Sequence, residues 1–179
     1  KRVIERYGAA GIVLLFCDTK MEDEDTYRFL QDAVQWLDCP LTTIADGRTP
    51  WEVFHARRFL GNTRADPCSR ILKRELARAW VDTNAPAAHI VLGIDYCEQR
   101  RMANIIDSWS PHTVEFPLLW SPALDKDMCR QILRRADVKE PRLYQLGFPH
   151  NNCGGFCVKA GQAHFRHLLN TLPERYAYH

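Results

Sequence analysis

The residues best equipped for chemistry lie in Phe148-Pro-His-Asn-Asn-Cys153-Gly-Gly-Phe-Cys157-Val-Lys-Ala-Gly161. Two cysteines separated by three residues flank a Gly-Gly pair, and His150, Asn151 and Asn152 stand just before them. Glycine lets the backbone curl until two thiolates face one point, as metal- and cluster-binding loops require. A third thiolate has to come from elsewhere. Cys68, in Asp66-Pro67-Cys68-Ser69, is the best placed, because a helix start depresses a thiol pKa and favours the ligating thiolate. Cys68, Cys153 and Cys157 are therefore expected to meet at one inorganic site. Three cysteines favour an iron–sulfur cluster of the 4Fe-4S type with one open iron, and zinc completed by His150 or Cys97 is its rival. A redox pair without metal, or an unreactive buried loop, is the plain alternative. Cys17, Cys39 and Cys129 read as small core residues.

A second stretch, Gly93-Ile94-Asp95-Tyr96-Cys97-Glu98-Gln99-Arg100-Arg101, puts carboxylates and guanidiniums directly after an apolar run. It suits either anion binding beside a sheet or a solvated helix start. Lys73-Arg74 divides the same way. The acidic run Glu22-Asp23-Glu24-Asp25 is explained by capping, since carboxylates are favoured at a helix N-terminus. His164 and His167 share a helix face and read as surface or core residues, and the scattered tryptophans read as packing.

These residues need elements to hold them. Residues 1–8 end a helix at Gly8, and Ile12 to Cys17 is a buried strand. A helix then carries Tyr27, Leu30, Val34 and Leu37 on one face. Leu41 to Ala45 is a strand, and Thr49-Pro50 caps a short helix through about Phe59. Gly61 to Pro67 is loop, and Ser69 caps the next helix. His89 to Ile94 and Thr113 to Leu119 are strands, the latter broken at Pro117. Asp125 to Ala136 and Gly161 to Leu172 are helices. Continuously apolar strands alternating with helices predict an α/β fold, a mainly parallel sheet with helices on both faces. Residues 1–140 form the nucleotide-binding-like part, and 141–179 a cysteine-bearing segment of the same domain. Ligands in such folds bind beyond the carboxyl ends of the strands, where Cys17-Asp18-Thr19 and Asp95-to-Glu98 fall.

Composition narrows the functional classes. With 179 residues, 46% of them apolar, the chain is long enough for one ordinary core. A net charge of +2 argues against a strongly basic nucleic-acid binder, although nucleic acid stays possible as a partner. No apolar run reaches the roughly 18 residues of a membrane span. Seven cysteines, an odd set, suit a reducing compartment, so the cytoplasm is expected. The chain opens on Lys1, which predicts a trimmed chain.

The order of Phe16-Cys17-Asp18-Thr19, Pro67-Cys68-Ser69-Arg70-Ile71-Leu72-Lys73, Gly93-Ile94-Asp95 through Arg101, Phe116-Pro117-Leu118-Leu119 and Cys153 to Lys159 resembles the phosphoadenosine phosphosulfate (PAPS) reductase family. That family lies within the PP-loop adenine nucleotide alpha hydrolases. The closest likeness is to a phage- or bacterial-borne branch ending in His-Asn-Asn-Cys-Gly-Gly-Phe-Cys-Val-Lys-Ala-Gly. The resemblance implies a sheet that cradles adenine, with Asp18 and Thr19 at the adenosine pocket. Lys73, Glu98, Arg100 and Arg101 would border the phosphates. It implies ATP or PAPS as ligand, and a sulfur donor or thioredoxin-like reductant as partner. The implied activity is sulfonucleotide reduction or ATP-dependent thiolation, with a cluster on three cysteines in several relatives. A non-catalytic, metal-stabilised binding module on the same fold is the alternative. The family's Ser-Gly-Gly loop is missing, since no serine precedes Ser69. That loop and its strand are expected upstream of Lys1, and weak nucleotide binding by this chain alone is expected with them.

Overall fold

Leu14–Cys17 (β1) and Leu41–Ile44 (β2) pair in parallel, with Leu14 opposite Leu41 and Cys17 opposite Ile44. Parallel neighbours need a crossover, and α2 (Glu24–Leu37) supplies it. Asp23 caps α2 by accepting the Asp25 N–H at 3.0 Å, and Asp38 ends it in a left-handed conformation with φ 50°. Before β1, α1 (Arg2–Tyr7) stops at Gly8, as the sequence predicts. The computed structural model describes residues 1–62 and 64–179, so residue 63 of the expected 61–67 loop lies outside the described residues.

After β2, α3 (Pro50–Arg57) starts with a reciprocal cap. The Thr49 hydroxyl accepts the Glu52 N–H, and the Glu52 carboxylate accepts the Thr49 N–H. The next helix corrects the expected cap. It begins at Pro67, not after Ser69: α4 (Pro67–Ser69) runs through a π-helical segment (Arg70–Glu75) into α5 (Leu76–Asn84). Proline fits the first turn, where its missing N–H costs nothing. Ser69 therefore lies inside the helical run and makes no side-chain cap.

Ile90–Val91 (β3) and Val114–Glu115 (β4) form a second parallel pair, joined through a 3-10 turn (Tyr96–Arg101) and α6 (Met102–Trp109). The predicted strands at 89–94 and 113–119 are thus much shorter than their apolar text. Beyond Glu115 the backbone tightens into a 3-10 turn at Pro117–Leu119, because Pro117 has no N–H for a ladder. The mixed α/β class holds. Among the described residues, however, the strands form two separate two-stranded parallel sheets rather than one mainly parallel sheet. The residues of β1 are half-buried throughout, not sealed on both faces.

Helix dominates the C-terminal segment: α7 (Lys126–Arg135), α8 (Arg142–Gln145), a 3-10 turn (Asn152–Gly155), α9 (Gln162–Thr171) and α10 (Pro173–Tyr178). Two small cores hold the parts that matter. Val53, Ile71 and Leu72 pack together with Cys68 against them. Leu143, Phe148 and Leu168 pack with Phe156 and Leu172, forming a floor beneath the cysteine turn. Among the described residues no helix is long and apolar enough to cross a membrane.

Candidate thiol site

The cysteine turn has its shape because its residues adopt left-handed backbone. Cys153 (φ 49°, ψ 40°) and Gly154 (φ 55°, ψ 27°) are both left-handed, and Gly155 follows at φ 91°. The Phe156 N–H then closes on the Cys153 carbonyl at 2.9 Å, and the Ala160 N–H on the Cys157 carbonyl at 2.8 Å. Glycine is favoured at 154 on two counts. Its φ strains any other residue, and a Cβ there would stand 2.3 Å from the Arg175 guanidinium. Across this curl the two thiols act on each other: Cys157 is lowered, helped by the Lys159 N–H and charge, while Cys153 is raised, with burial adding to the rise.

Cys68 reaches this neighbourhood from the start of α4. Lys159 Nζ meets Asp66 Oδ2 at 3.0 Å, which ties the cysteine loop to the residue before Pro67-Cys68. The helix start was expected to depress the Cys68 thiol. Burial instead raises it, and the charge of Cys157 adds to the rise. Among the described residues no group of three or more His, Cys, Asp or Glu side chains is arranged to hold a metal ion. The zinc rival finds His150 elsewhere. Its ring stacks on His164 at 5.1 Å, and its buried Nδ1 has no hydrogen-bond partner. Burial lowers its pKa and keeps it neutral. Cys97 is exposed on the Tyr96–Arg101 turn.

At the carboxyl end of β1 the expected adenosine residues are buried, Asp18 at 6% exposure and Thr19 at 2%. Asp18 accepts from the Lys20 N–H (2.8 Å), Lys20 Nζ (3.0 Å) and the Tyr27 hydroxyl (2.9 Å). Burial would raise its pKa, but these donors outweigh it and the net shift is downward. Burial, together with Asp18, pushes Tyr27 up to about 12. The Thr19 hydroxyl donates to Glu22 Oε1 at 3.0 Å, and Lys73 Nζ donates to the same oxygen at 3.0 Å. Burial acts to lower the Lys73 pKa, but Glu22, with smaller contributions from Cys153 and Cys17, raises it, so Lys73 stays a cation. Cys17, expected in a core, is half-buried and donates its thiol to the Lys73 carbonyl at 3.6 Å. Thr19, Glu22 and Lys73 thus form one hydrogen-bonded chain, with the Cys17 thiol on the Lys73 carbonyl.

Sequence reasoning missed several of its supports. Arg142 forks onto fully buried Asp23 with Nε and Nη2 both at 2.8 Å, and also meets Glu24. Arg175 donates to the Glu22 carbonyl at 3.1 Å beside Gly154. The acidic run is therefore a hub of ion pairs as well as a cap. Arg142, Arg175, Lys20 and Glu22 also line a cleft of about 670 Å³ between that run and the α9–α10 turn. No short motif could have announced these pairings. His164, which the sequence places as a surface or core residue, holds its Nε2 2.7 Å from the Gly155 carbonyl.

The remaining expected residues sit on the Tyr96–Arg101 turn, after β3 in the second sheet. Glu98 and Arg101 pair with each other. Arg100 is exposed, and among the described residues it makes no ion pair. No protein-family model matches the chain, and no curated protein matches it in sequence.

Proposed function

We propose that this chain performs nucleotide-dependent sulfur chemistry, as sulfonucleotide reduction or ATP-dependent thiolation. One observation supports the reading most: at the carboxyl end of a parallel strand, Glu22 gathers the Thr19 hydroxyl and the Lys73 ammonium on one oxygen. Strand ends of this kind are where open α/β sheets take ligands. A sulfonucleotide or nucleoside triphosphate is anionic, and Lys73 is a cation whose side chain is still partly open to solvent, at 37% exposure. Glu22, at 4%, fixes that ammonium in place. The thiolate supplies the nucleophile for sulfur transfer. Arg100 offers a second, free cation for the phosphates. No step is assigned to an iron–sulfur cluster, since among the described residues no group of three or more ligating side chains is arranged to hold a metal ion.

Calorimetric titration of ATP and of PAPS tests the reading. Lys73→Met should weaken binding by one to two decades, the worth of one charge-assisted contact of about 1.5–3 kcal/mol. Arg100→Ala should do the same if that turn closes over the phosphates. Unchanged affinity in both folded variants, or no heat with either nucleotide, leaves the binding-module alternative.

A further inference from the structure

We infer that the cleft between the acidic run and the α9–α10 turn binds a small molecule through an oxyanion, a phosphate or carboxylate group, held by Arg175, His179 and Arg142. The inference goes beyond the nucleotide reading and does not rest on it. Its ground is a surplus of unmet donors on one cleft. Arg175 is largely buried, and a guanidinium offers a whole fork of N–H groups. Among the described residues that fork makes one hydrogen bond, from Nη2 to the Glu22 carbonyl at 3.1 Å. Its Nε is buried and has no partner. The carboxylates of Glu24 and Asp23 stand 3.6 and 3.9 Å from Nη1, close enough to balance the charge and too far to hydrogen-bond.

His179 adds a second unmet donor, and its tautomer follows from its neighbour. The Trp51 indole N–H can only donate, and it donates to His179 Nδ1 at 3.1 Å. Burial and the Arg175 charge keep the ring neutral. Its proton is therefore on Nε2, which is buried and has no acceptor. Arg142 uses Nε and Nη2 on Asp23 and Glu24 and, among the described residues, leaves Nη1 unused. The neighbouring acceptors are engaged: Glu22 Oε1 holds Thr19 and Lys73, and Glu24 meets Arg142. Glu174 also lines the cleft, is exposed, and makes no ion pair among the described residues. A buried donor without an acceptor is costly, and a ligand oxyanion supplies what Arg175 and His179 lack. The planar fork of an arginine matches the oxygens of a carboxylate or phosphate. At about 670 Å³ the cleft also has room for the organic body of such a ligand, with Met21 and Leu172 in its wall.

The Trp51 indole reports on the site, because an acceptor on Nε2–H polarises the imidazole and with it the Trp51 bond. The chain has five tryptophans, and the indole peak that Trp51→Phe removes from a proton–nitrogen correlation spectrum is the one to follow. The protein is titrated with sodium phosphate and, separately, sodium acetate, with ionic strength held constant by chloride and no nucleotide present. The Trp51 peak should move saturably, and the tighter of the two anions names the ligand's charged group. Arg175→Gln should weaken binding about tenfold or more, the worth of one charge-assisted contact. Glu174→Gln, at an exposed position, should tighten it about two- to threefold by removing a repelling charge. If Arg175→Gln loses its fold, Glu174→Gln decides. The inference is overturned if neither anion moves the peak saturably up to about 20 mM, or if chloride alone moves it as far. It is equally overturned if Glu174→Gln, or a folded Arg175→Gln, binds as its parent does.

Discussion

Asp25 accepts the Arg28 guanidinium at 2.6 and 2.9 Å and the Arg142 N–H at 2.7 Å, which together hold its carboxyl down at about 2. An unfolded aspartate titrates near 4. A carboxyl depressed by folding stabilises the native state at every pH above the unfolded value, and that contribution disappears as the group is protonated in both states. Stability should therefore fall as the pH drops from about 4 toward about 2, and Asp25→Asn should flatten that part of the curve. Urea unfolding at stepped pH measures it. Parallel curves for the two proteins would show that Asp25 carries none of the acid sensitivity. The Lys73–Glu22 pair follows a different logic at the same scale. Two facing charges, one almost sealed, fix an ammonium where a ligand's anion would arrive.

The element that matters most is the turn from Asn152 to Gly155, where three successive residues take positive φ. Left-handed backbone costs a non-glycine residue about 1–2 kcal/mol, so Cys153 keeps its conformation only because its surroundings over-determine it. Gly154→Ala adds the same strain at the neighbouring position and pushes the flexible Arg175 head away from the Glu22 carbonyl. A loss of about 1–2 kcal/mol in unfolding free energy is expected. Urea unfolding measures it, and full stability would mean that the turn is not held by Arg175. At the same scale, α2 and α3 show how far local chemistry reaches: Asp23 and Thr49 cap them with bonds spanning two or three residues.

Across the whole molecule, the C-terminal segment is tied to the N-terminal half by charge more than by sheet. Arg142 reaches Asp23 over 119 residues, Arg175 reaches Glu22 over 153, and Lys159 reaches Asp66 over 93. Asp23 is fully buried, while 43% of the Arg142 side chain is exposed. Removing Arg142 leaves Asp23 with the Asp25 N–H and, among the described residues, Arg175 at 3.9 Å as its remaining cation. Breaking a buried pair costs about 3–5 kcal/mol, and the open guanidinium discounts this to about 2–3 kcal/mol. Arg142→Ala should lose that much in urea unfolding and make residues 141–179 the first cut in limited proteolysis. Asp23→Asn in the same background should recover part of the loss. If it recovers nothing, the stranded charge is not the cause.

Local pattern was enough to place α1, β1, α2, β2, α3 and α9 to within a few residues, because periodicity and caps depend on near neighbours. The turn at Gly154-Gly155 was legible in part: two glycines permit positive φ locally, whereas Cys153 holds it through its surroundings. The lengths of β3 and β4 were not, since a strand persists only while a partner matches it, and Pro117 ends the match from the other side. The sign of the Cys68 shift was also beyond local reading. A helix start lowers a thiol pKa, burial raises it, and only packing against Val53, Ile71 and Leu72 decides which effect wins. The ion pairs and the arginine–carbonyl bond around Asp23 and Glu22 belong wholly to the tertiary structure. Their partners lie 51 to 153 residues away, and the closing of loops that long is settled by the assembled cores and not by any neighbouring residue.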